Sequence, residues 1–296
     1  MLQMVKHIFL FIITGILLCG CNNLDIKGLF VPTGDGVDSR FEQSKAMYAD
    51  LKAGVIETAG SYVFYVAADP HIDKTTRNLD IFNDTFRNDS DASFGVILGD
   101  CTDVKDNLKN YLKALAYYPE RHSSDHKIFH VLGNHDIYFK GWDDFKNSIG
   151  PSTYWFEVVF PEGKDLYISL DTATGTLGSK QTKWFREFIE MNRSSYRHCI
   201  ILTHTNFFYT DMSQDSSGNM PIEESFSLID FLGSHDASLV LQGHDHYRED
   251  ISYMNVRFTV LGSISDKSDS PEYLRVKGTP EGMCLEWNIL DPINVD

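Results

Sequence analysis

Five short groups of carboxylate, imidazole and amide side chains follow one another along this chain, each where an apolar run stops. They are Asp69-Pro70-His71, Gly99-Asp100-Cys101-Thr102-Asp103, Gly133-Asn134-His135-Asp136, a lone His204, and Gly243-His244-Asp245-His246. Imidazole and carboxylate without thiolate suit divalent Mn, Fe, Zn, Ni or Co rather than Ca or Mg alone. The candidate ligands are Asp69, His71, Asp100, Asn134, His204, His244 and His246, too many for one tetrahedral centre. They suit two ions sharing a bridge, which can clamp both oxygens of an in-line displacement at phosphorus. Asn134 is a neutral oxygen donor and limits the negative charge. Cys101 lies inside the second group, but Asp100 is the better ligand, and the thiol is expected to point into the sheet.

The elements that must position these groups are short and apolar. Tyr62 to Ala67, Phe94 to Leu98, Ile128 to Leu132, Cys199 to Thr203 and Leu239 to Leu241 are rich in Val, Ile, Phe and Tyr and read as buried strands. Ligands of open α/β sheets bind beyond the carboxyl ends of such strands. Helical spacing follows two of the groups: Leu79, Phe82 and Phe86, then Leu108, Leu112, Leu115 and Ala116. Gln181 to Met191 and Phe226 to Leu232 read as further helices. Arg40 to Leu51 reads as a weaker one, with Phe41, Met47, Tyr48 and Leu51 on one side. Tyr154 to Phe160 and Leu166 to Leu170 form a hairpin pair, and Ser252 to Val260 and Met283 to Leu290 read as β, with a turn at Met254-Asn255. The polar segment from Tyr209 to Glu224 is long enough for a lid or substrate loop. Trp142 and Phe139 are candidates for an apolar wall beside the metals. No internal repeat and no second domain is evident.

The ordered pattern D-x-H, G-D-x-x-D, G-N-H-D, H, G-H-x-H resembles the calcineurin-like metallophosphoesterase superfamily, over Asp69 to His246. The resemblance implies a two-sheet β-sandwich flanked by helices, a four-layer αββα fold in the α/β class. It implies one ion held by Asp69, His71, Asp100 and His246, and a second by Asp100, Asn134, His204 and His244, with Asp100 bridging. His135 matches the family's catalytic histidine; Asp136 would orient it, and Asp103 would support the site from outside the ligand set. The pair Gln181 and Trp184, a Q-x-x-W on the helix, also resembles this family. Asp103 stands where purple acid phosphatases have a tyrosine ligand, so their colour is not expected. Pro70 stiffens its loop and removes one backbone donor.

The 296 residues and 42% hydrophobic content are ample for one α/β domain. Residues 1–20 read as a secretory leader, with Lys6 before the apolar run Ile8 to Leu18, which is too short for a comfortable membrane span. Leu18-Cys19-Gly20-Cys21 resembles a bacterial lipobox with cleavage before Cys21, the expected lipidation site. Asn22 in place of Asp favours the outer membrane, so the expected location is the cell envelope, through a lipid anchor only. Residues 21–37 read as a tether and 38–296 as the catalytic domain. Cys101, Cys199 and Cys284 remain, and they make no disulfide framework. His7, His122, His126, His130, His198 and His235 are expected in solvated or packed structural roles. A net charge of −16 without a basic stretch argues against polymeric nucleic acid. A small phosphorylated substrate is still admitted, because bound cations set the local field.

The reading is therefore a lipid-anchored, dinuclear-metal phosphoesterase in which a hydroxide bridging the ions attacks phosphorus and His135 protonates the leaving group. A diester is the favoured substrate. The loops after the metal groups offer single cations, Lys74, Lys105, Lys140 and Arg248, each beside an acid, and no arginine pair for a monoester dianion. The spacing from G-N-H-D through Trp142 to the Q-x-x-W helix also resembles the cyclic-nucleotide and glycerophosphodiester phosphodiesterases of the superfamily. The alternatives are a phosphomonoesterase of the same fold, a non-catalytic scaffold, and a metal-buffering protein. Oligomeric state is left open.

Overall fold

Aromatic side chains from two sheets meet face to face and fix how the sheets are stacked. The computed structural model describes residues 34–116, 127–208 and 219–290. The leader, Cys21, residues 22–33 of the tether, His7, His122 and His126, and residues 209–218 of the polar segment after His204 lie outside the described residues. The strands are β1 (Lys52–Glu57), β2 (Tyr62–Ala67), β3 (Ala92–Ile97), β4 (Lys127–His130), β5 (Tyr154–Phe160), β6 (Gly163–Ser169), β7 (Cys199–Leu202), β8 (Leu239–Gln242), β9 (Glu249–Tyr253), β10 (Val256–Val260), β11 (Glu272–Thr279) and β12 (Gly282–Ile289). The α-helices are α1 (Val37–Met47), α2 (Arg77–Asn88), α3 (Leu108–Ala116), α4 (Asn134–Ile137), α5 (Trp142–Ser148), α6 (Gly178–Asn192) and α7 (Ile222–Ser234). No helix among the described residues is long and apolar enough to cross a membrane.

One sheet has seven strands in the order β1-β5-β6-β7-β8-β10-β9, the other five in the order β12-β11-β2-β3-β4. Side-chain alternation sorts each strand between two layers. In β2, Tyr62, Phe64 and Val66 face the other sheet, whereas Val63, Tyr65 and Ala67 pack on helices. Between the sheets, Phe129 of β4 stacks face to face on Phe156 of β5 at 3.7 Å, and Phe94 meets Phe156 edge-on at 5.4 Å. Burying a side chain of this size contributes ~1.5–3 kcal/mol. The outer face of the smaller sheet is covered by Leu79, Phe82 and Phe86 of α2, Tyr111 of α3, and Trp142 and Phe145 of α5. Phe185 and Ile189 of α6, with Leu228 and Leu232 of α7, cover the larger sheet. The result is the four-layer αββα arrangement.

Several local expectations change. Trp142 is no wall beside the metals: it is buried in the helix-covered core and its indole N–H donates to Gln43 at 2.9 Å. Phe139 is 43% exposed. The one-sided pattern expected from Arg40 to Leu51 breaks, because α1 ends at Met47, which is exposed, while Leu51 is buried in a following turn. At the end of the expected tether Gly34 and Gly36 are exposed, and the Asp35 carbonyl between them accepts from Arg40 at 2.5 Å. The polar segment ends earlier than expected, since α7 starts at Ile222. His130 is half-buried at the end of β4, the His198 ring bonds the Thr279 carbonyl, and the His235 ring bonds the Phe231 carbonyl.

Candidate metal centre

The five residue groups sit where the two sheets come together at the carboxyl ends of their parallel strands. Strands β2, β3 and β4 run parallel and deliver Asp69, Asp100 and Asn134 in turn. In the other sheet β6, β7 and β8 run parallel, and β7 and β8 deliver His204 and His244. The first two loops are zipped together: the Asp69, His71 and Ile72 amides donate to the carbonyls of Gly99, Asp100 and Cys101. Pro70 occupies the position between these donors, so its missing N–H costs this loop none of the three bonds.

Five of the seven candidate ligands have left-handed backbone: Asp69 (φ 53), His71 (φ 43), Asp100 (φ 50), His244 (φ 75) and His246 (φ 59). That conformation costs about 1–2 kcal/mol for a residue with a Cβ, and strain of this kind concentrates at functional sites. Close approach also demands glycine. A Cβ on Gly133 would lie 2.2 Å from both the Asp100 amide nitrogen and its Oδ1, and one on Gly99 would lie 2.5 Å from His204 Nδ1. Gly133→Ala is therefore expected to displace Asp100, lowering the melting temperature and the bound-ion stoichiometry together. An unchanged stoichiometry would show that the loop absorbs the methyl.

Ligand atoms fall into two sets that share Asp100. Asp69, His71, Asp100 and His246 form one, and Asp100, His204 and His244 form the other, each with its atoms within 4.8 Å of one another. Asn134 joins the second set through Oδ1, 2.9 Å from His204 Nε2 and 3.0 Å from His244 Nδ1. Its amide is held in that sense because Nδ2 donates to the Tyr138 hydroxyl at 2.9 Å. His204 Nδ1 lies 2.8 Å from the Leu98 carbonyl, and a proton on that nitrogen leaves Nε2 as the lone pair for a metal. In the first set His71 Nε2 and His246 Nε2 are 2.9 Å apart. Asp69 Oδ1 is buried without a hydrogen-bond partner. Acceptor atoms converging in this way need positive charge between them, so the donor set fits divalent ions.

The titration behaviour of the metal-free residues states the same need. Burial raises the Asp69 carboxyl, against the pull of His204. Asp100 is held well below its ordinary value: burial opposes its charge, but His204, His135 and His71 prevail. His204 is pushed up to about 10, because Asp100 and Asp69 outweigh the cost of burying its charge. Burial, with His204 beside it, takes His244 down to about 3; burial, with His71 beside it, takes His246 down to about 4.

Around the ligands the structure departs from expectation at Asp136. Its carboxylate accepts from the Gly133 and Cys101 amides, each at 2.9 Å, and so fixes the G-N-H-D turn to the Asp100 loop. His135 Nδ1 instead lies 3.2 Å from the Asp103 carbonyl. Asp103 meets a ligand directly, with Oδ1 3.0 Å from His71 Nδ1. Lys267 closes this chain at 2.7 Å from Asp103 Oδ2. His71 and Lys267 hold the Asp103 carboxylate far below its usual range despite partial burial. Cys101 is buried in the helix-covered core, and burial pushes its thiol well up. Lys267 carried no local sequence signal, being 164 residues from Asp103. Tyr138 had one, its helical spacing of four from Asn134.

The calcineurin-like phosphoesterase family model matches residues 62–248, from the first residue of β2 to just past His246. Among solved structures, a dimetal phosphatase from Danio rerio is similar at 13% identity and a TM-score of 0.55, covering 77% of this chain and 98% of that one. A purple acid phosphatase from yellow lupin (Lupinus luteus) is similar at 11% identity and a TM-score of 0.59, covering 78% of this chain and 52% of that one. The anchor in the inner membrane complex of Plasmodium is similar at 16% identity and a TM-score of 0.57, covering 79% of this chain and 87% of that one. Identities this low establish a shared fold. No curated protein sequence is a significant match.

Proposed function

Because the chain belongs to the calcineurin-like phosphoesterase family and is a metal-dependent phosphoesterase, we propose that it uses two ions to hydrolyse a small phosphodiester. The observation that carries the dinuclear reading is the pair of ligand sets joined at Asp100. The fold alone would not carry it, since one protein of this fold is an anchor. A scaffold, however, has no use for strained ligand residues and a histidine beside them.

Two divalent ions, held by Asp69, His71, Asp100 and His246 and by Asp100, Asn134, His204 and His244, would supply Lewis acidity toward phosphoryl oxygens and a water of lowered pKa. The chain's own residues do the rest. Asp100 ties the two sets at one spacing, and its Oδ1 accepts the His135 amide at 2.8 Å, which fixes His135 to the centre. The His135 ring packs against Tyr138 and edge-on against His71, each at 4.7 Å. With Nδ1–H hydrogen-bonded to the Asp103 carbonyl, the doubly protonated His135 ring can pass its Nε2 proton to the departing oxygen and be left as the neutral Nδ1–H tautomer, the role of a general acid.

The preference for a diester rests on charge. A monoester dianion asks for cationic side chains beyond the ions. Lys267 is committed to Asp103, with Asp73 3.9 Å away, and Arg248 lies over the Trp287 ring at 3.9 Å. A diester and a monoester with the same leaving group, assayed with Mn, Fe, Zn, Ni and Co, test this. The diester is expected to have the higher kcat/KM, and a tenfold advantage for the monoester would reverse the choice.

A further inference from the structure

The corner after β6 carries no candidate ligand, yet it holds the backbone of one. Thr172 Oγ1 accepts from the amides of His204 at 3.3 Å and Thr205 at 3.0 Å. Thr205 returns the contact, its hydroxyl donating to the Thr172 carbonyl at 3.0 Å. Both threonines and His204 are buried. The position of the His204 ring thus depends on where the Asp171-Thr172 corner sits.

That corner is itself gripped from two sides. Arg40, fully buried on α1, donates to both carboxylate oxygens of Asp171, from Nε at 2.7 Å and Nη2 at 2.9 Å. A two-pronged guanidinium–carboxylate pair fixes direction as well as distance. Gln181 on α6 binds the Asp171 backbone at both ends: its Oε1 accepts the Asp171 amide and its Nε2 donates to the Asp171 carbonyl, each at 2.9 Å. Trp184, one turn along α6, packs on Phe41 of α1 at 5.8 Å. The Q-x-x-W pair therefore joins α6, α1 and the corner in one unit. Arg40 lies before the residues that the family model matches.

We propose that Thr172, held in place by Arg40 and Gln181, is the positioning residue for His204 and sets the affinity of the second ion. The proposal rests on the reading of His204 as a ligand. Removing the hydroxyl takes away the acceptor that the His204 and Thr205 amides share. The His204 backbone is then free to shift, the ring moves against its Leu98 carbonyl contact, and Nε2 leaves its place beside Asn134 and Asp100 in the second ligand set. Asp69, His71 and His246 make no contact with this corner among the bonds described, so the first ion is spared.

The test is Co(II) titration of the full-length protein, followed by calorimetry and by the visible absorption of bound Co(II). Wild type must first bind two ions, which examines the underlying reading by itself. Thr172→Val is then expected to weaken the second ion by ~10–100-fold, the usual effect of losing an outer partner of a ligand, and to alter that ion's absorption bands only. Thr172→Ser restores the hydroxyl and is expected to restore the affinity. Arg40→Lys, which keeps the charge but not the fork, gives the same selective loss at smaller size and serves if Thr172→Val does not fold. Wild-type affinity for both ions in Thr172→Val, equal weakening of both, or a serine variant as weak as the valine one would overturn the proposal.

Discussion

The His135→Ala protein is expected to keep both ions and to lose about 10²–10⁴-fold in kcat. The prediction is exposed because His135 also falls within reach of His71 and Asp103, in a third group of possible ligands. Geometry favours the catalytic role. Its Nδ1 is directed at the Asp103 carbonyl, and the bond that ties it to the centre comes from its backbone amide, which alanine keeps. Truncation therefore removes the proton donor and leaves Asp100 anchored. Metal analysis beside single-turnover kinetics decides the matter. Loss of an ion on this substitution would make His135 a ligand and sink the assignment; a leaving group of low pKa, which needs no proton, should recover much of the rate.

Asp100→Asn is expected to do the reverse, emptying the centre before any question of chemistry arises. Asp100 belongs to both ligand sets. Its Oδ2 lies 3.5 Å from His71 Nε2 and 3.4 Å from His204 Nε2. Asparagine tolerates the left-handed backbone there and keeps the size, so the change is one of charge. Both ions should bind more weakly than the ~10–100-fold loss typical of outer partners, with activity lost at ordinary metal concentrations. Asn134→Ala, by contrast, touches only the second set. Calorimetric titration showing two ions bound with native affinity to Asp100→Asn would refute the bridging role.

Much of this was legible because buried parallel strands are written in Val, Ile, Phe and Tyr, and the ligand groups punctuate them. β2, β3, β7 and β8 were readable for that reason. β1 was not: Lys52 to Glu57 is half-exposed at a sheet edge and contains Gly54. β11, with Arg275 and Lys277 among its apolar residues, hides its alternation in the same way. The ligand residues could be named from type and order, but their left-handed backbone could not, since Asp and His adopt it only under tertiary constraint. Asp136 misled for a related reason. Adjacency to His135 suggested a partnership, whereas the turn it caps requires both of its oxygens. Lys267 and Thr172 act across the fold and leave no mark near the residues they serve.

The centre draws Asp69, His71, Asp100 and Asn134 from loops of the five-stranded sheet, and His204, His244 and His246 from loops of the seven-stranded one. Neither sheet owns a complete ligand set, and His71 and His246 meet across 175 residues of chain. Catalysis is thus a late product of assembly. With only the five-stranded sheet formed, a chain would carry three ligands of the first set and two of the second, and neither set would be closed. With the sheets docked, an ion in either set would clasp one to the other and stabilise the docked state by its own binding. The hydrolytic centre works as a built-in proof that the molecule is finished.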